Sequence, residues 1–129
     1  AITDACTKLA EAGTKVSLFI DADVQQIEAA KRTGAPVIEV HTGHFADAES
    51  RSERNSLLNE IKIACEHAEK IGLQVNAGHG LNRQNIHEIA ALPQLRELNI
   101  GHAIIADSIF MGLEKAIYEY RRLMREARA

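Results

Sequence analysis

The chain has 129 residues, with 15 Lys and Arg, 18 Asp and Glu and a formal net charge of -3, which is enough for one modest core and too little for two. Basic and acidic residues are interspersed with no basic block, which argues against nucleic acid as a partner. Apolar runs fall far short of the roughly 20 residues of a membrane span and no charged-then-apolar leader opens the chain, so a cytoplasmic, single-domain protein over residues 1–129 is expected, with no membrane partner.

In chain order, "AITDACTKLAEAG" reads as a helix already under way at residue 1. The β-rich run "KVSLFID" follows, then "ADVQQIEAAKRTG", where Asp23 is placed to cap a helix, Ile27 and Ala30 share a face and Gly34 is a stop. A second run, "PVIEVHTG", leads into "ESRSERNSLLNEIKIACEHAEKIG", with Leu57, Ile61, Ala64, Cys65 and Ala68 at helical spacing and an end at Gly72. The third, "LQVNAG", precedes "NRQNIHEIAALP", expected to be a helix from an Asn82 cap to Pro93. After the fourth, "RELNIGHAII", the last helix is expected from about Ser108 to the end, with Leu113, Ala116, Ile117, Tyr120 and Met124 facing inward. Cys6 and Cys65 lie in the helical stretches without CxxC spacing and read as two unpaired, partly buried thiols. Strand followed by helix, four times over, means parallel strands.

A parallel strand covered on both faces is apolar on both, and these four strands are not. Val16, Leu18 and Ile20 alternate with Ser17, Phe19 and Asp21; Ile38 and Val40 with Val37, Glu39 and His41; Leu73 and Val75 with Gln74 and Asn76; Leu98 and Ile100 with Glu97, Asn99 and Gly101. A polar face gathering toward the carboxyl ends of the strands fits a (β/α)8 TIM barrel better than a doubly wound sheet, and "AGHG" lacks the GxGxxG spacing of a dinucleotide turn. Four units make half of such a barrel, and the chain opens inside a helix without a methionine. The expectation is therefore the last four strand-helix units of a longer barrel, or a chain that pairs with a copy of the missing half.

Candidate chemistry sits at the strand ends. Glu39 points to the barrel interior, where a carboxylate is costly unless paired; it reads either as a structural ion pair or as a group that stabilises positive charge or handles a proton. His79 stands between two glycines that free the backbone and open amide N–H groups to an anion, the plainer alternative being a turn histidine that caps a helix. Gly101 and His102 repeat the Gly-His pair after the last strand, where barrels bind phosphate through loop amides, so the two turns suggest one phosphate-bearing ligand. "HTGH" places His41 on a strand and His44 beyond a glycine without a third ligand at helical spacing, and no metal is expected there. His67 and His87 read as solvated helix residues, and no lysine lies at a strand end to form a Schiff base.

"VSLFIDAD", "APVIEVHTG", "VNAGHGL" and "ELNIGHAII", in this order and spacing, resemble the carboxy-terminal half of the pyridoxine 5′-phosphate synthase family over essentially the whole chain. Phe45 departs from the tyrosine expected after "HTG", which bears only on a hydroxyl contact. The resemblance implies a TIM barrel that condenses 3-amino-2-oxopropyl phosphate with 1-deoxy-D-xylulose 5-phosphate to give pyridoxine 5′-phosphate, phosphate and water. It implies no metal or organic cofactor, phosphorylated small molecules as partners and a homo-octamer. Glu39 matches the family's transition-state-stabilising glutamate, His79 its proton donor, and Gly80, Gly101 and His102 its contacts to the aminoketone phosphate. The family's other site residues belong to the amino-terminal half, so 129 residues alone are expected to be inactive. Two further readings remain: another phosphate-binding barrel enzyme, an isomerase or aldolase, and a non-enzymatic half-barrel that self-associates.

Overall fold

The computed structural model describes residues 1–129 as α1 (Ile2–Glu11), β1 (Ser17–Ile20), α2 (Val24–Arg32), β2 (Val37–His41), α3 (Gly43–Asp47), α4 (Arg51–Lys70), β3 (Gln74–Gly78), α5 (Ile86–Ala90), β4 (Leu95–Asn99), α6 (His102–Met111) and α7 (Leu113–Glu126). Local signals account for the central helices. The Asp23 carboxylate accepts from the Gln26 N–H at 2.8 Å and Ser50 Oγ from the Glu53 N–H at 3.1 Å, each cap worth about 1 kcal/mol. Beyond the ends of α2 and α4, Gly34 and Gly72 take φ of +83° and +79°, a turn that a residue with a Cβ enters at a cost.

All four strands pair in parallel in the order β1-β2-β3-β4. This sequential order has no reversal of the kind that marks a doubly wound sheet. Leu18, Ile38, Val75 and Leu95 lie in one row across the sheet, and Ile20, Val40, Ala77 and Leu98 in another. These rows pack against Ile27 and Ala30 of α2 and Ile61, Ala64, Cys65 and Ala68 of α4 to form the main core. The opposite face carries Phe19, Glu39, Asn76 and Glu97 side by side. There, Lys15 Nζ donates to Gln74 Oε1 at 2.7 Å, Gln74 Nε2 to Asn76 Oδ1 at 3.2 Å and Asn76 Nδ2 to Glu97 Oε1 at 2.6 Å. One apolar and one polar face are thus present as the alternation implies.

An irregularity in the β3–β4 ladder matters for the site. Val75 pairs with Leu95 but Asn76 with Glu97, so β4 carries one extra residue, Arg96. A one-residue insertion reverses which side chains face which way, and it sets Asn99 beside Gly78, on the same face as Glu39.

Several expectations need correction. The helix expected from Asn82 begins only at Ile86, because Asn82 Oδ1 accepts from the Gln84 N–H at 2.9 Å and Asn85 Oδ1 from the Asn82 N–H at 2.8 Å, which spends these side chains on a turn. The last helix is two: α6 starts at His102, six residues before Ser108, and Gly112 at φ +85° breaks it from α7. Of the expected inner stripe, Ala116 and Tyr120 are buried, while Leu113 and Ile117 are 52% and 42% exposed. His102 therefore opens a helix and does not end a strand. The thiols of Cys6 and Cys65 are free as expected but fully rather than partly buried. His67, expected to be solvated, bonds Glu28 Oε1 at 2.8 Å and ties α4 to α2, whereas His87 is exposed. No helix is long and apolar enough to cross a membrane.

Tyr120 closes a smaller core with Ile86 and Ala90, and its hydroxyl donates to Asp107 Oδ2 at 3.0 Å. Burial, and then the hydrogen bond to Asp107, push its pKa up to about 12 from 10.0. Burial, with Glu66 and Glu69 nearby, pushes the Cys65 thiol up to about 12 from 9.0. Both groups prefer the neutral form in the fold, so their contribution is full below the unfolded values and is lost as pH rises from about 9 toward 12. The melting temperature is expected to fall over that window and to fall less steeply in Cys65→Ala/Tyr120→Phe; an equal slope in the double variant would refute the assignment.

Candidate active site

The site begins at the ends of β2 and β3. Thr42, which follows β2 and is fully buried, places Oγ1 2.7 Å from the Gly78 carbonyl and 2.6 Å from that of His79, its single hydroxyl proton shared between them, while its N–H donates to Gly78 O at 2.9 Å. Asn85 Nδ2 donates to the Gly80 carbonyl at 3.1 Å. Three successive carbonyls of the glycine turn are thereby fixed from the protein side, which makes this a rigid turn.

His79 takes φ +82°, the one non-glycine residue of the chain with a positive φ. For a residue with a Cβ this conformation costs roughly 1–2 kcal/mol, and the carbonyl bonds just described hold it. Gly80 follows at φ +74°, and a Cβ there would lie 2.6 Å from the Ala46 Cβ on α3, so this glycine is required by both conformation and contact. The His79 ring is exposed and lies 4.9 Å from the His41 ring and 6.4 Å from Phe19, centroid to centroid.

Glu39 is half-buried on the polar face. Its Oε2 accepts from Asn99 Nδ2 at 2.7 Å, Oε1 lies where a Cβ on Gly78 would stand, and no lysine, arginine or histidine pairs with it. Within residues 1–129 an amide, not a cation, meets this carboxylate.

On the far side lies the start of α6. Gly101 precedes it and supplies no side-chain cap, and the first intrahelical bond runs from Ile105 N–H to Gly101 O. The earlier amides have no intrahelical acceptor, and the positive end of the helix dipole lies with them, a combination suited to an anion. Behind it, Arg83 Nε and Nη2 reach Asp107 at 2.9 and 3.0 Å, which fastens the turn after β3 to α6.

A cavity of about 540 Å³ joins these parts, with Glu39, His79, Gly80, Gly101 and His102 all in its wall. The five residues singled out from sequence, more than sixty positions apart at their extremes, are brought together. Asn99, Asn82 and Phe19 also line the cavity and were not picked out. Asn99 could have been, since it lies on the polar face of its strand two residues before Gly101, but its partner depends on the extra residue in β4. His41 and His44 have no third partner at helical spacing, but the Asp21 carboxylate, just after β1, comes near both of them across the sheet.

Parallel strands whose carboxyl ends share one polar cavity, beside an open helix N-terminus, define an α/β protein of the kind whose ligand sites lie at the strand ends. The sequence model described as "Pyridoxal phosphate biosynthesis protein PdxJ" matches residues 1–126. The pyridoxine 5′-phosphate synthase of Idiomarina loihiensis is 51% identical over 127 residues, covering 98% of this chain and 52% of the relative. The chain belongs to the PdxJ family; it spans about half the length of the curated relative it matches.

Proposed function

We propose that this chain forms the carboxy-terminal half of a TIM-barrel pyridoxine 5′-phosphate synthase, which condenses 3-amino-2-oxopropyl phosphate with 1-deoxy-D-xylulose 5-phosphate to pyridoxine 5′-phosphate, phosphate and water. The observation that carries this reading is the convergence of Glu39, His79, Gly80, Gly101 and His102 on one cavity in a chain of this family. In this proposal the amides at the start of α6 and the His79–Gly80 turn take the aminoketone phosphate, by backbone N–H groups and helix dipole.

His79, exposed to the cavity on a rigid turn, returns a proton to the reacting substrate. Glu39, anchored by Asn99, holds a negative charge where positive charge develops. The sheet order, with helices packed on its apolar face and polar groups on the other, supports the half-barrel, since in a closed barrel the polar rows face the axis. The barrel's remaining strands would come from the other half of the protein, in a cytoplasmic homo-oligomer.

The test supplies both phosphorylated substrates to the intact protein and follows pyridoxine 5′-phosphate by chromatography. Formation of that product with release of phosphate is expected, and residues 1–129 alone are expected to form none. Turnover of a simple sugar phosphate with no pyridoxine 5′-phosphate would replace this reading with an isomerase or aldolase.

A further inference from the structure

Three side chains from three segments meet beside the cavity just described. Asp21 follows β1, His41 ends β2 and His44 lies in α3, and one ligand atom of each falls within 4.8 Å of the other two. Asp21 Oδ1 stands 3.5 Å from His41 Nδ1, and the His41 and His44 rings meet edge to face at 5.4 Å. The carboxylate is itself oriented: Gln26 Nε2 donates to its other oxygen, Oδ2, at 3.2 Å, and the Asp21 N–H donates back to Gln26 Oε1 at 3.2 Å. Oδ1 is left toward the imidazoles, which is how an outer partner fixes a ligating carboxylate.

We propose that Asp21, His41 and His44 bind a divalent transition-metal ion of the zinc type. The donor set decides the class. Two imidazoles and one carboxylate suit zinc, iron, cobalt or nickel, whereas magnesium and calcium select oxygen donors. A separate cavity of about 230 Å³ lies over the three groups, with Glu60 also in its wall, so a fourth position is open to water or to this carboxylate, as in zinc sites with three protein ligands. His44 is exposed, and a change of its rotamer would draw the three donors, now within 4.8 Å of one another, onto one ion while Gln26 keeps Asp21 in place. The thiols are not rivals: Cys6 and Cys65 are buried, and the Cys65 thiol, at about 12, supplies no thiolate at neutral pH. The ion would lie one ring from His79, because the His41 ring contacts His79 at 4.9 Å. The proposal does not depend on which reaction the larger cavity serves, and the ion is not assigned a chemical step in it.

The experiment titrates zinc chloride into the intact, chelator-treated protein by calorimetry, and repeats the titration with cobalt chloride while recording its visible absorption. One ion per chain is expected. Affinity should weaken by at least ~10-fold in Asp21→Ala and in His44→Ala, fall in Gln26→Ala by ~10-fold or more as for a lost outer partner, and stay unchanged in His87→Ala. The cobalt band should disappear with His44→Ala. Absence of saturable zinc binding would overturn the site, as would binding that survives both Asp21→Ala and His44→Ala, or binding of magnesium as tight as that of zinc. Asp21 and His44 make no core contacts, and unchanged melting temperatures confirm that the variants fold.

Discussion

In the full-length protein, His79→Asn is expected to lower turnover by ~10² to 10⁴, the range for a lost general acid or base, with the fold intact. The substitution is chosen for the backbone as much as for the ring. His79 sits at φ +82°, a region in which asparagine is among the most tolerant residues with a Cβ, so the turn and its carbonyl bonds to Thr42 survive the change. What is lost is a ring that can hand over a proton, because an amide of similar reach can donate a hydrogen bond but cannot transfer its proton. Since the missing interaction belongs to the transition state, kcat and kcat/KM should fall together. Steady-state kinetics with both substrates read this directly. Wild-type rates would remove His79 from the chemistry and leave it a strained turn residue, and a rise in KM alone would make it a binding group.

How much of this was legible in the sequence follows from which interactions are local. The Asp23 cap, the glycine stops at 34 and 72 and the alternation in "VSLFID" and "VIEVH" act within a few residues, and the structure follows each of them. The polar face came from period two alone, and the two Gly-His turns from residue type and position after a strand.

Features set by tertiary register were not legible. Asn99 meets Glu39 only because β4 carries an extra residue opposite the Val75–Asn76 step, and a single chain gives no sign of which strand will bulge. Asp21 meets His41 and His44 across two strands, a juxtaposition that a search at helical spacing overlooks. The short helix α3 was hidden because Gly43, its first residue, reads as a terminator; there a Cβ would lie 2.5 Å from His41 Nε2 and 3.0 Å from His79 Cδ2, so the glycine is needed for packing between the two rings. The start of α6 was missed for a related reason: "HAII" is apolar and β-branched enough to extend the strand pattern, and only the exit of the chain at Asn99 turns it into a helix.

Glu39→Gln separates the two roles its position allows. The side chain keeps its shape, and the amide oxygen can still accept from Asn99 Nδ2, so the geometry of the cavity wall is retained while the charge is removed. A carboxylate in a structural ion pair would leave a partner cation unpaired when neutralised, at about 3–5 kcal/mol for a buried pair. Within residues 1–129 Glu39 has no such partner, and its half-buried charge is held by one amide. If the other half of the barrel adds no cation beside it, neutralising it is expected to leave the melting temperature unchanged or raise it slightly, because the desolvation cost of the charge is relieved. Turnover in the full-length protein is expected to fall by ~10² to 10³, the loss seen when a preorganised charge or dipole is removed from a site where charge develops. Asn99→Ala should move turnover in the same direction by less, since the charge stays but its orientation is freed. The pair of measurements, melting temperature and kcat, is decisive: a large drop in melting temperature with intact turnover would return Glu39 to the structural role, and loss of turnover at constant stability places its charge in the reaction.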